Sequence, residues 1–139
     1  MVPHEVLAAL KAIRELQARS ATEPSYGLHV VVWSWATLEK CLLGVLQEQR
    51  VTQSTHALRE LTTSQLISEA MAHGLITKED SLRLRSSSAL RNELAHGQSP
   101  SATLDSQLVD EAVDAVVQAI NHLYASVAGR SHPLHTART

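Results

Sequence analysis

The chain has 139 residues, of which 44% are apolar and 3% aromatic, with no phenylalanine. That length fits one domain, and its core must be assembled from Leu, Val, Ile and Ala, a palette suited to helix-on-helix packing rather than a β-sandwich. A formal net charge of -2 excludes a uniformly basic nucleic-acid binder and leaves only local patches for an anionic partner.

Five helices are expected. The first covers residues 3–19: Pro3 suits a first turn, where its missing N–H would lack a partner anyway, and Val6, Leu10, Ile13 and Leu16 recur at helical spacing. After a break at 20–24, a second helix is expected over 25–49. Its broad apolar stripe of Leu28, Val31, Val32, Trp35, Leu38, Leu42, Val45 and Leu46 makes it the central core helix. Trp33 and Trp35 are two positions apart and point to different faces, so one belongs in the core and the other against a neighbouring subunit, a reading favoured over a stacking platform for bases. Cys41, the single cysteine, sits inside the apolar pattern and reads as a small buried hydrophobe. A reducing, cytoplasmic compartment is expected. The longest apolar run, 30–33, is too short to span a bilayer, so no membrane association is expected, and Pro3, His4 and Glu5 interrupt any signal-peptide pattern.

A third helical region, 56–73, contains Thr62-Thr63-Ser64-Gln65, which has capping-box spacing and predicts a helix start inside it. Gly74 is the stop. Thr77-Lys78-Glu79-Asp80 repeats the cap signal before a fourth helix over 78–95. Gly97 and Ser99-Pro100-Ser101 lead to a fifth helix over 104–127, with Leu108, Val113, Val116, Ile120, Leu123 and Val127 along one side. Short connections make neighbouring helices antiparallel. The fold expected is therefore all-α, an up-and-down bundle of four to five helices over 1–128, with a polar, mobile tail over 129–139.

Chemistry-bearing residues are few. The eight histidines are scattered, no two of them four apart, and there is neither a second cysteine nor a glycine-rich phosphate loop. No metal or cofactor site is expected. Lys78, Arg83, Arg85 and Arg91 form a local basic run. Ser86-Ser87-Ser88 is either a solvated face or a place for another helix to approach closely.

The richest segment is Arg91-Asn92-Glu93-Leu94-Ala95-His96, at the expected end of the fourth helix. His96 stands where the helix dipole is negative, which favours the imidazolium and suits acid–base work. Arg91 is a permanent planar cation fit for a phosphate or a phosphorane, and Asn92 can orient the ring or bind a phosphate oxygen. These are the parts needed to cleave RNA without a metal: a base for the ribose 2′-OH, a cation for pentacoordinate phosphorus and an acid for the leaving oxygen. Spacing by itself carries a second reading, in which Arg91 forms a surface ion pair and His96 caps the helix.

The run Leu90-Arg91-Asn92-Glu93-Leu94-Ala95-His96-Gly97 resembles the signature of the HEPN superfamily: Arg, four to six residues, then His, with a polar residue after the Arg. Trp35-Ala36-Thr37-Leu38-Glu39 is similar to that family's early helix with its Leu-Glu pair. The resemblance implies a HEPN-like bundle, a homodimer and a metal-independent endoribonuclease of toxin–antitoxin or defence systems. Arg91 and His96 would be catalytic, Asn92 supporting and Glu39 an accompanying acid. RNA would be the substrate, no cofactor would be needed, and an antitoxin protein would be a further partner. Where some toxin branches carry a modifiable Tyr two positions after the motif His, this chain has Gln98. Similar Arg-Asn-x-x-Ala-His runs occur in proteins resembling the mannitol operon repressor. These imply a non-catalytic, dimeric binding or regulatory module instead.

Overall fold

The structure is a computed structural model that describes the backbone of residues 3–23, 25–49, 58–95 and 106–131 and the side chains of 4–23, 25–49, 58–89 and 107–126. Among the described residues five helices are delimited in order, α1 (Pro3–Thr22), α2 (Tyr26–Glu48), α3 (Thr63–Ala72), α4 (Lys78–Ala95) and α5 (Ser106–Ser131), and residues 58–59 are helical as well. They form an up-and-down, all-α bundle. Among the described residues there is no strand.

Local chemistry explains the boundaries. Thr62 caps α3 through a reciprocal pair: its hydroxyl accepts from the Gln65 N–H at 3.2 Å, and the Gln65 side chain accepts from the Thr62 N–H at 2.8 Å. At the other end of α3, Gly74 takes φ 71°, the Leu75 N–H reaches the Ala70 carbonyl and the Gly74 N–H reaches the Met71 carbonyl. These paired bonds satisfy the last carbonyls of α3 and turn the chain, and a Cβ would resist that φ. Thr77 and Asp80 repeat the capping box at the start of α4, with both bonds at 3.0 Å.

α2 is the centre and packs against each of the other four helices. Val30, Val31, Trp35, Leu38, Cys41, Leu42, Val45 and Leu46 are all buried. By length and mean hydropathy α2 could also cross a membrane, because a helix buried on most sides needs the same composition. Its apolar stripe is wider than the core that receives it. Leu28 and Val32, expected inside, are 38% and 43% exposed, and Val30 takes the inner position instead. Of the two tryptophans, Trp35 is the core residue and Trp33 is 42% exposed. On α5, Leu108 was likewise expected inside but stands exposed beside the buried Val109. One residue is 100° of helix turn, enough to exchange inside for outside at the edge of a stripe.

Hydrogen bonds between helices set the register. Arg83 Nη1 donates to Gln118 Oε1 at 2.5 Å, and Ser87 Oγ donates to the Ala112 carbonyl at 3.4 Å, so α4 and α5 run antiparallel. Arg14 pairs with Asp114 and Gln17 donates to Asp110, so α1 and α5 also run antiparallel. The C-terminal turn of α4, the α1–α2 connection and the start of α5 therefore share one end of the bundle.

Candidate active site

Arg91 and Asn92 lie on the helical backbone of α4, which continues through Ala95. Their side chains, and His96 altogether, lie outside the described residues. Arg91 follows Ser87 by one turn, about 6 Å along the axis. The register of Ser87 thus sets the level of the motif in the bundle.

Ser87 is buried where three helices meet. It accepts a 2.9 Å hydrogen bond from the Trp35 indole N–H of α2 and itself donates to α5. Of the two meanings open for Ser86-Ser87-Ser88, close helix approach holds at Ser87, where a small side chain admits the Trp35 ring edge. Ser86 remains exposed. Because α2 and α4 run antiparallel across this contact, the next turn of α2 toward the motif end carries buried Val31 and exposed Val32, and the turn beyond it carries exposed Leu28.

Glu39 sits one turn beyond Trp35 on α2, away from the motif end. Its carboxylate accepts a 2.7 Å hydrogen bond from the Thr63 hydroxyl and so ties α2 to the first turn of α3. The described geometry therefore gives Glu39 a definite structural partner. Among the described side chains of the basic run, Lys78, Arg83 and Arg85 do not form one patch. Arg83 pairs with Glu79 at 2.7 Å on the α5 side of α4, whereas Arg85 reaches the α3 side, donating to Ser64 Oγ at 2.8 Å and Ser68 Oγ at 3.0 Å. Lys78 stands at the far end of the helix, about 20 Å from Arg91 along the axis.

A second polar cluster had no signal in local spacing. Asp80 is buried, and His122 of α5, 42 positions away, brings Nδ1 to 2.7 Å from its Oδ2. Burial pushes the Asp80 carboxyl up, but hydrogen bonds from Thr77 and from His122, with the charge of His122, outweigh it and hold the group below its ordinary value. The sequence marks Asp80 as a cap acid. Only the packing of α4 on α5 adds the histidine. Cys41 is fully buried, and burial raises its thiol while a hydrogen bond with Tyr124 opposes that rise. A thiolate nucleophile is disfavoured there. Among the described residues no group of three or more His, Cys, Asp or Glu side chains is arranged to hold a metal ion.

Comparison with family models, with characterised proteins and with solved structures finds no significant match to this chain.

Proposed function

We propose that the chain is a HEPN-type, metal-independent endoribonuclease that acts as a homodimer and serves as a toxin or defence effector. One observation carries this reading: Arg91 and Asn92 lie on a bundle helix that runs at least through Ala95, and His96 is the next residue in the sequence. In the proposed reaction His96 takes the ribose 2′-OH proton and returns one to the leaving 5′ oxygen. Arg91 stabilises the phosphorane, and Asn92 orients the ring or a phosphate oxygen. Attack by the 2′ oxygen breaks the P–O5′ bond and leaves a cyclic phosphate.

The dimer is part of the proposal for a geometric reason. Five positions on a helix turn Arg91 and His96 apart by more than a right angle, so one regular helix does not aim both at one phosphorus. A two-fold partner supplies the complementary pair. Leu28 and Val32, with exposed Ala36 on the same side of α2, form an apolar strip leading toward the motif end, and a second copy would bury it. An antitoxin protein that covers the resulting cleft is the proposed further partner, and the cytoplasm the proposed compartment.

The test is direct. Purified dimer in EDTA should cut cellular RNA and leave cyclic phosphate or 3′-phosphate ends. Arg91→Ala and His96→Ala should each lower the rate by about a hundredfold or more. If the folded dimer leaves RNA intact, or His96→Ala cuts as well as wild type, the chemistry is wrong. The mannitol-repressor-like reading, a non-catalytic dimeric module, then takes its place. The net charge of -2 favours that second reading, since it repels RNA outside local patches.

A further inference from the structure

Between α2, the first turn of α3 and α4 lies an open groove of about 570 Å³. Trp35 and Ile67 give it an apolar lining, and Thr62, Ser64, Ser88 and Arg85 give it polar groups. We propose that this groove binds a phosphate group through Arg85 and serves as a subsite for the RNA strand cut at the end of the same helix. The strand assignment rests on the ribonuclease reading; the phosphate assignment does not.

The case is an account of donors. A guanidinium has five N–H donors, and Arg85 spends two of them, on Ser64 Oγ and Ser68 Oγ. Among the described residues no carboxylate meets it, in contrast to Arg83 and Arg14, which pair with Glu79 and Asp114. Neutral hydroxyls hold the Arg85 plane in place without cancelling its charge. A hydroxyl that accepts from arginine keeps its own proton to give, so Ser64 in the lining remains a donor, whereas the Thr63 hydroxyl of the same lining is spent on Glu39. Thr62 Oγ1 also accepts, from the Gln65 N–H, and keeps its proton. The polar lining therefore offers hydroxyl donors around one cation that, among the described residues, no carboxylate contacts directly. That pattern fits a tetrahedral oxyanion and fits a cation or a neutral acceptor-poor ligand badly. Glu39 stands beside the groove, with its carboxylate on the Thr63 hydroxyl, and its charge opposes an anion. Arg85 and Arg91 are six residues apart on α4, about 9 Å along the axis, within reach of one short oligonucleotide.

The test uses the full chain, labelled with nitrogen-15, in two titrations. One adds inorganic phosphate. The other adds a 2′-O-methyl RNA oligonucleotide, which lacks the attacking hydroxyl. Phosphate should shift the amides of Thr62, Thr63, Ser64 and Ser88 and the Nε–H of Arg85, with a Kd on the order of 1 mM. Arg85→Gln should weaken binding about tenfold. Ser88→Asp, which leaves the Arg85–serine bonds in place, should weaken it similarly, and Glu39→Gln should tighten it. Absence of these shifts, or wild-type affinity in both Arg85→Gln and Ser88→Asp, overturns the proposal. Phosphate shifts without oligonucleotide shifts at the same residues overturn the strand assignment and leave an oxyanion site. Oligonucleotide shifts at Arg85 in a protein that cuts no RNA uphold the groove and sink the ribonuclease reading instead.

Discussion

Asp80 shows how much one side chain can carry. It closes the capping box of α4 and, from 42 positions away, receives His122 of α5. Asp80→Asn weakens both contacts at a buried position and should cost about 2 kcal/mol in urea unfolding at neutral pH. The pH dependence has a definite sign. The folded-state value of Asp80 is depressed, so its contribution is fully present above the unfolded value of about 4 and is lost as pH falls through the folded value. Wild-type stability should therefore drop faster than that of Asp80→Asn below about pH 4, and the gap between the two should narrow there. A gap that widens on acidification would contradict the assignment. The capping role was legible in Thr77-Lys78-Glu79-Asp80, because caps are local. The histidine was not, because helix packing alone brings it within 2.7 Å.

At the scale of elements, the bond from the Trp35 indole to Ser87 ties α2 to α4. Removing the donor should weaken that junction and the level at which α4 carries the motif. Trp35→Phe should lower stability by about 2 kcal/mol with an unchanged urea slope. Fluorescence distinguishes the two tryptophans. Acrylamide should quench the remaining Trp33 in Trp35→Phe and leave the buried Trp35 of Trp33→Phe largely shielded. Equal quenching in the two variants would mean that the core assignment is wrong. The helices themselves were legible: α2 and α4 lie within a residue or so of the expected bounds, and the start of α3 follows its capping box. α1 runs to Thr22 and α5 to Ser131, beyond the expected ends at 19 and 127. The α1 extension meets no glycine or proline before Pro24, whereas the α5 extension passes through Gly129 without ending there.

At the scale of the whole molecule, the open matter is what covers the strip of Leu28, Val32 and Ala36. The homodimer proposed above makes a clear forecast. Leu28→Glu combined with Val32→Glu should leave helical content unchanged, because both side chains are already exposed. It should convert a dimer to a monomer in sedimentation and abolish RNA cutting with it. Wild type that sediments as a monomer at micromolar concentration, or a double variant that still dimerises, would remove this seam from the proposal.

The sequence by itself determined the class of fold and the positions of the helices, because hydrophobic period, caps and glycine stops are short-range and each helix carries its own. It also supplied the residues of the proposed chemistry, since Arg91, Asn92 and His96 are neighbours along the chain. Tertiary structure decided everything that depends on which faces meet. It turned Val30 inward and Leu28, Val32 and Leu108 outward, gave Asp80 its histidine, placed Ser87 under Trp35 and sent Arg83 and Arg85 to opposite sides of α4. The physical reason is common to all of these. A helix shows its neighbours a face about 100° of turn per residue in resolution, and only the packing of a second and third helix selects which residues at the edge of that face are covered.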